Sequence, residues 1–132
     1  MAACLFESAK ANEVRRVSIK DETIMSGLSC GEPSEIAWQI ISEDTSDFFT
    51  IPDKIVAPTV RVLTRPNGGD PLIEAGESAV AGLAVLICAV KQLDLRAKLG
   101  LDKTSRVLLI GSEGVTDREI FAKIMEGDKH AG

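Results

Sequence analysis

The chain has 132 residues, the length of about one domain and enough to bury a hydrophobic core without stabilising crosslinks. Apolar residues make up 45% and charged residues 27% of the sequence, a balance typical of a folded globular protein rather than a disordered chain. The net charge of −5 and the 4% aromatic content exclude a typical nucleic-acid binder, which needs cationic and base-stacking side chains.

The sequence predicts a cytoplasmic protein with no membrane span and no metal site. The N-terminal segment turns polar at Glu7, so it lacks the apolar core of a signal peptide. The longest apolar run, Ala79–Val90, is shorter than the roughly 20 residues that span a bilayer. A single histidine, His130, leaves almost no ligands for zinc. Three scattered cysteines are too few for a disulfide scaffold: Cys4, Cys30 and Cys88.

The first third of the chain is predicted to hold a capped helix between two short extended segments. Lys10–Arg16 is polar, which indicates a surface helix or loop, and the weak alternation of Val14–Lys20 indicates a short strand or an extended lead-in. Ser34 is placed to cap a helix, and Phe48–Ile51 favours a strand that ends at Pro52. The expected apolar face of the helix is Ile36, Trp38, Ile40 and Ile41.

The middle of the chain is predicted to contain two helices separated by a loop. Asp53–Thr64 has helical spacing of apolar residues, and Pro58 lies in the first turn, where its missing N–H costs little. Arg65–Pro71 is rich in glycine and proline and indicates a loop. Ala79–Val90 is apolar on all sides, which predicts a helix buried on most sides. Gly82 within it allows a neighbouring element to approach closely.

The last third of the chain is predicted to form a strand, a turn and a helix. Arg106–Ile110 is a continuous β-type run, typical of an interior parallel strand. Gly111–Gly114 ends it, and Thr116–Glu119 has the pattern of a capping box that opens a helix. The residues of that helix expected to face inward are Ile120, Phe121 and Ile124. Strands that alternate with helices predict an α/β layered fold.

The turn after the predicted strand is the most informative local feature for function. Free N–H groups and the positive end of a helix dipole meet where a parallel strand ends and a helix begins, so ligands bind there. The Ser112 hydroxyl is able to hydrogen-bond a ring nitrogen or an oxyanion at this place. An ordinary turn needs the same small residues, so both interpretations stay open. Glu77 is likewise either a charge partner for a helix N-terminus or a functional carboxylate.

Several segments, in order along almost the whole chain, jointly resemble one enzyme family. Asp21–Pro33 reads D-E-T-I-M-S-G-L-S-C-G-E-P and is followed by Trp38, and Ile110–Asp117 reads I-G-S-E-G-V-T-D. Three shorter pieces lie between them: Arg61–Leu63, Gly69–Pro71 and Gly76–Ser78. Together they resemble M-A-G-L-x-C-G-E-P, M-R-V-L … N-D-P-x-I-x-x-G-E-S-G-A and I-S-T-E-G-D-T-D of the diaminopropionate ammonia-lyases.

The resemblance implies an α/β fold, the C-terminal portion of a tryptophan synthase β-like (fold type II) pyridoxal-phosphate enzyme, with parallel strands and flanking helices. It implies α,β-elimination of 2,3-diaminopropionate to pyruvate and ammonia. The family position that matches Ser112 contacts the pyridine nitrogen of pyridoxal 5'-phosphate, and a neutral hydroxyl there leaves that nitrogen unprotonated. Glu77 matches a glutamate near the cofactor ring. Gly111 and Gly31 are expected to lie beside the cofactor.

The resemblance also concerns two cysteines. Cys4 and Cys30 fall where these lyases carry cysteines, so a redox-dependent disulfide near the active-site entrance is one interpretation. Two unrelated free thiols in a reducing cytosol are the other.

The chain departs from the family pattern in two respects. It has neither the segment with the Schiff-base lysine nor the glycine-rich loop for the cofactor phosphate. We therefore expect residues 1–132 to be a single α/β domain or fragment that corresponds to the C-terminal part of the lyase, with no catalytic residue of its own. Alone it is expected to be inactive, and to act on a small amino-acid substrate only when an N-terminal half completes it.

Two further interpretations remain open at this point. The chain is also consistent with a non-catalytic binding or oligomerisation module derived from the same fold, because loss of the N-terminal half exposes the apolar surface around Ala79–Val90 and favours homo-oligomers. The other alternative is an unrelated small α/β domain that binds an anionic metabolite at Gly111–Gly114.

Overall fold

A computed structural model of the chain describes residues 2–65 and 68–127. These residues contain six α-helices: α1 Cys4–Ala11, α2 Glu35–Asp44, α3 Val56–Thr64, α4 Ala81–Lys91, α5 Leu93–Lys98 and α6 Arg118–Glu126. Two 3₁₀ turns accompany them, at Ser26–Leu28 and Asp53–Ile55. The described ranges contain no β-strand, so the predicted parallel strands are not confirmed. The chain divides into two compact units, Met1–Thr50 and Ile51–Gly132.

Helix α1 opens the first unit and is held by a buried serine. The Ser8 side chain is fully buried, and its hydroxyl donates to the carbonyl of Cys4 at 2.7 Å. The same hydroxyl accepts the backbone N–H of Arg15 at 2.8 Å, which ties the segment after the helix back onto it. The helix ends at Asn12, whose left-handed backbone (φ 54°) suits asparagine. Residues 14–20, expected as a strand or an extended lead-in, form no strand.

Helix α2 begins as predicted but buries less than predicted. Ser34 caps it by accepting the N–H of Ala37 at 3.3 Å, which confirms the predicted start. Trp38 is buried and packs at a tilt on Phe48, with 6.0 Å between ring centroids. Ile36 and Ile40 are 74% and 62% exposed, so the expected apolar face is wrong for them. Positions 36 and 40 share one helical face and position 38 lies on another, so packing through Trp38 leaves both isoleucines uncovered.

In the second unit, the predicted helix over Asp53–Thr64 is present as the 3₁₀ turn followed directly by α3. Pro58 is the third residue of α3, where it costs little, as expected. Val56 and Val60, one helical turn apart, are fully inaccessible to solvent. Helix α3 packs against α4 and α6, and α4 against α5.

Helix α4 is less buried than its apolar sequence predicts. Ala84 and Ala89 are its buried residues, whereas Val90 is 46% exposed. The prediction of a helix buried on most sides is therefore wrong; among the described elements, α3 and α5 pack most extensively against it. The small residue Gly82 does allow a close neighbour: a Cβ there would lie 3.4 Å from Cδ2 of Leu109.

Residues 107–110 show the exposure pattern of a strand without strand partners. Leu108 and Ile110 are 87% and 85% exposed, whereas Val107 and Leu109 are roughly half exposed. This alternation has the period of two that a strand produces, with Leu109 turned towards Gly82 of α4. An interior strand needs hydrogen-bonding neighbours on both edges, and the described residues supply none.

Helix α6 begins one residue later than the predicted capping box. Asp117 is the capping residue, and its carboxylate accepts the N–H groups of Glu119 and Ile120, both at 2.9 Å. Phe121 and Ile124 are buried as predicted. Ile120 is 37% exposed, so its expected inward orientation is wrong.

Candidate functional site

The candidate site of the second unit forms where residues 75–79 meet residues 111–114. The backbone N–H of Gly76 donates to the carbonyl of Glu113 at 3.1 Å. The N–H of Ser78 donates to Oε2 of the Glu113 side chain at 2.7 Å. Two segments 35 residues apart in sequence therefore lie side by side, just before α4 and at the end of the stretch expected as a strand.

Glu77 and Ser112, both singled out in the sequence, belong to these two segments. Glu77 is only 7% exposed, and within residues 2–65 and 68–127 no hydrogen bond or ion pair reaches its carboxylate. Its carboxylate oxygens nevertheless keep some contact with solvent, because they are not among the fully buried side-chain atoms without a partner in the described residues. Ser112 is exposed, and no hydrogen bond among the described residues occupies its hydroxyl. Both side chains are thus available to a ligand.

The two glycines expected beside the cofactor lie in different units. Gly111 follows Ile110 in the second unit, and a Cβ there would contact the Ala79 Cβ at 3.4 Å, so the loop runs close along the segment before α4. Gly31 belongs to the first unit, where its carbonyl accepts the N–H of Val17 at 2.8 Å. A Cβ at Gly31 would lie 2.7 Å from the Val17 carbonyl oxygen, so this close approach requires glycine.

The cysteines are all free thiols, including the pair expected as a possible disulfide. Burial raises the pKa of the Cys4 thiol, and the neighbouring Cys30, which also hydrogen-bonds it, raises that pKa further. Cys30 itself is exposed and donates from Sγ to the Glu32 carbonyl at 2.9 Å. The structure thus brings the two thiols together without a covalent bond. Cys88 is half-buried on α4.

Spacing in the sequence predicts neither two contacts of this site nor one buried polar atom of the first unit. The contact of Glu113 with Gly76 and Ser78 joins residues too distant in sequence for any spacing rule to pair them. Gly76 matters because a Cβ would lie 2.4 Å from the Gly114 carbonyl oxygen. Ser29 Oγ is buried without a hydrogen-bond partner in the described part of the chain.

A second concave feature, in the first unit, is not a free anion site. It is an open cleft of about 350 Å³ lined by Glu7, Lys10, Ala11, Arg15, Arg16 and Val17. Each of its cations already has a carboxylate partner: Lys10 pairs with Glu7, Arg15 with Glu13 and Arg16 with Glu32.

Metal and membrane features were sought over residues 2–65 and 68–127. These residues contain no group of three or more side chains able to hold a metal ion. His130, the one histidine, lies outside the described residues. None of the helices in these ranges combines the length and apolar character needed to cross a bilayer.

Comparison with known proteins gives a consistent set of relatives, although no family model matches the chain. The chain is 36% identical over 133 residues to diaminopropionate ammonia-lyase from Escherichia coli K12. It is 35% identical over 136 residues to the enzyme of that name from Salmonella typhimurium LT2. Both matches cover 98% of this chain, but 33% and 34% of the relative. The chain therefore spans about a third of the length of the curated relatives it matches.

Solved structures give the same result. The E. coli diaminopropionate ammonia-lyase in complex with an aminoacrylate–PLP azomethine reaction intermediate matches with a TM-score of 0.83 and 35% identity, over 96% of this chain and 32% of that one. Its complex with D-serine matches with a TM-score of 0.84 and 33% identity, over 98% and 32%. The apo form matches with 0.68 and 35% identity, over 74% and 28%. These similarities contradict the interpretation that the chain is an unrelated small α/β domain.

Proposed function

Because the chain is homologous to the C-terminal part of the diaminopropionate ammonia-lyases, we propose that it forms the cofactor-ring side of a pyridoxal-phosphate-dependent ammonia-lyase site. The reaction is α,β-elimination of 2,3-diaminopropionate to pyruvate and ammonia. The observation that carries the proposal is the pair of side chains without a hydrogen bond in the described residues, on two segments in contact: the carboxylate of Glu77, a residue only 7% exposed, and the hydroxyl of Ser112.

These residues fit the ring of pyridoxal phosphate. A hydroxyl that no described residue uses is free to hydrogen-bond the pyridine nitrogen, and as a neutral group Ser112 leaves that nitrogen unprotonated. The Glu77 carboxylate accepts a hydrogen bond from a polar group of the bound cofactor or substrate. Gly111, directly before Ser112 in the same loop, adds no side chain that would keep a ligand from the backbone. When bound, the cofactor supplies an electron sink for the substrate carbanion.

Residues 1–132 act together in this proposal as one part of a larger site. They span a third of the relatives' length and lack both the lysine and the phosphate loop of the family pattern, so the chain alone is inactive. Strands of the remaining fold pair with the backbone of residues 106–110, and helices of that fold cover the almost fully exposed side chains of Leu108 and Ile110. The small-molecule substrate binds only after this completion.

The remaining elements of the proposal concern redox state, assembly and location. Cys4 and Cys30, neighbours with free thiols, form a disulfide under oxidising conditions. Apolar surface around residues 106–110 makes the chain associate into dimers or larger homo-oligomers. The few scattered cysteines support a cytoplasmic location.

The proposal is tested by completing the site. The chain is co-produced with the N-terminal two thirds of the E. coli relative, and pyruvate release from 2,3-diaminopropionate is measured with pyridoxal phosphate. We expect activity from the pair and none from the chain alone. Ser112→Ala in the pair lowers activity at least about tenfold through loss of a hydrogen bond to the ring. Ser42→Ala, at an exposed position of α2, is the control and leaves activity unchanged.

Two outcomes contradict this function. Pyruvate release by the unpaired chain shows that it is complete by itself. An assembled pair whose activity is indifferent to Ser112→Ala shows that the hydroxyl does not serve the cofactor.

A second candidate function is a non-catalytic binding or oligomerisation module. The four apolar residues 107–110, of which Leu108 is 87% exposed, favour it because such surface is used for association. A pair that assembles but shows neither activity nor a change in the cofactor absorbance favours this function over the first.

A further inference from the structure

Glu113 contacts the chain on both sides of Glu77. Its main-chain carbonyl accepts from Gly76 N at 3.1 Å, and its carboxylate accepts from Ser78 N at 2.7 Å. One residue thereby fixes the backbone immediately before and immediately after the buried carboxylate. Glu113 is also the direct chain neighbour of Ser112, so the same residue sets the position of both candidate ligands of the cofactor ring.

The contact has the properties of a fixed joint. A bond from an N–H to an ionised carboxylate is shorter and stronger than one between neutral groups, and 2.7 Å is at the short end for this type. The segments touch backbone to backbone, since a Cβ on Gly76 would lie 2.4 Å from the Gly114 carbonyl oxygen and 2.7 Å from Glu113 Oε2. The two backbone segments are therefore packed too closely to shift past each other.

The Glu113 carboxylate contacts the chain just before α4. Residues 77–80 form a turn that leads directly into α4, and Ser78 lies three residues before the first residue of that helix. No side chain caps α4 at Val80. The Glu113 carboxylate, from a distant part of the sequence, binds an N–H of the turn before the helix.

We propose that Glu113 is a positioning residue: its two acceptors hold Glu77 and Ser112 in a fixed relation, so that a pyridine ring meets both at once. The proposal rests on the function proposed above and adds to it a residue outside the ring contacts. Sites of this kind depend on supporting hydrogen bonds, because a ligand group displaced by about 1 Å loses much of its effect.

The joint is tested first in the ligand-free chain, by amide hydrogen exchange at Ser78 in three variants. Glu113→Gln keeps an acceptor oxygen at the same reach, whereas Glu113→Asp keeps the charge but is one methylene shorter, and Glu113→Ala has neither. We expect exchange at Ser78 to rise about tenfold in the Ala and Asp variants and to stay within about threefold of the original in the Gln variant. The amides of α6 serve as the internal control and do not change.

The same variants then enter the completed lyase pair. Glu113→Asp is expected to weaken cofactor binding, measured as the absorbance change on adding pyridoxal phosphate, at least about tenfold, and Glu113→Gln to restore most of it. The conservative variant separates positioning from a general loss of structure, because a merely structural role lowers thermal stability without this order of effects.

Each result assigns success or failure separately. Unchanged exchange at Ser78 in both Glu113→Asp and Glu113→Ala overturns the proposal, and so does faster exchange throughout α6. If exchange responds as expected but the Asp pair binds cofactor normally, the joint exists and the positioning role is wrong. If the unsubstituted pair itself gives no cofactor absorbance change, the proposed function is wrong. The positioning role depends on that function and is then wrong as well. The contact between Glu113 and Ser78, measured by exchange, is unaffected by this result.

Discussion

Arg61 in α3 donates from Nη1 to the backbone carbonyl of Ile124 in α6 at 2.7 Å, across 63 residues of sequence. Arg65, one turn further along, donates to the carbonyl of Met125, also at 2.7 Å. The last carbonyls of a helix have no partner within it, and the C-terminal end of its dipole is negative. The guanidinium groups of Arg61 in α3 and of Arg65, the residue that follows α3, therefore bind the end of α6.

Removing the first of these contacts is expected to destabilise the second unit. Arg61→Ala lowers the free energy of unfolding by about 1–2 kcal/mol, because a partly buried carbonyl loses a charged donor. Urea unfolding followed by circular dichroism measures the change. Arg106→Ala, which removes an exposed arginine, is the control and shifts the midpoint little. Equal midpoints for both variants contradict the role given to Arg61.

Gly76 is expected to tolerate no side chain. Gly76→Ala forces a Cβ to within 2.4 Å of the Gly114 carbonyl oxygen, so the two segments must separate, at a cost of about 1–3 kcal/mol. Gly114→Ala is the matched control, since no heavy atom lies within 4 Å of its Cβ position. Thermal unfolding of the two variants is compared. A smaller loss for Gly76→Ala than for Gly114→Ala shows that the segments are not in contact as described.

Self-association is expected to depend on Leu108 and Ile110. Replacing both with lysine puts charge on the most exposed apolar side chains of residues 107–110, and association falls. Light scattering as a function of concentration measures the mean mass of the original and the variant. Val62→Lys, at an apolar residue of α3 that is 52% exposed, controls for added charge alone. A monomeric original chain at high concentration removes the basis for this prediction.

The thiol of Cys4 is expected to make stability depend on alkaline pH. Burial, and then the neighbouring Cys30, raise its pKa above the ordinary value of 9.0, so the folded state holds the proton more tightly than the unfolded state. The resulting stabilisation is complete below pH 9.0 and is lost as the pH rises through the raised pKa.

Urea unfolding between pH 7 and pH 11 under reducing conditions tests this dependence. Cys4→Ala is the comparison and shows less decline across the same range. Iodoacetamide provides a second reading, because the raised pKa leaves Cys4 less thiolate and slows its alkylation relative to the exposed Cys30. Faster labelling of Cys4 than of Cys30 contradicts the prediction.

Local signals in the sequence predicted local structure well. The Ser34 cap and the placement of Pro58 in a first helical turn depend on a few adjacent residues, and both are confirmed. The predicted burial of Ile36 and the predicted strand at residues 106–110 are not. Both depend on what covers or pairs with the segment, and a spacing rule does not contain that information.

The candidate site divides in the same way. Ser112 and Glu77 were identified through short motifs and a family resemblance, which mark positions along the chain. The link that joins their segments, from Glu113 to Ser78, was not predicted, because the sequence shows neither which distant backbone a carboxylate meets nor that Gly76 leaves it room.

The hydrogen bond between Ser78 and Glu113 also joins the two ends of a segment that contains α4 and α5. After α5 in this segment, Gly100 has open space around its Cβ position, and residues 102–105 form an exposed turn. Because exposed turns tolerate insertions, this turn is a permissive place to graft an affinity peptide or a fluorescent reporter. Such a graft would allow assembly to be followed in a cell while the residues around Glu77 stay as they are.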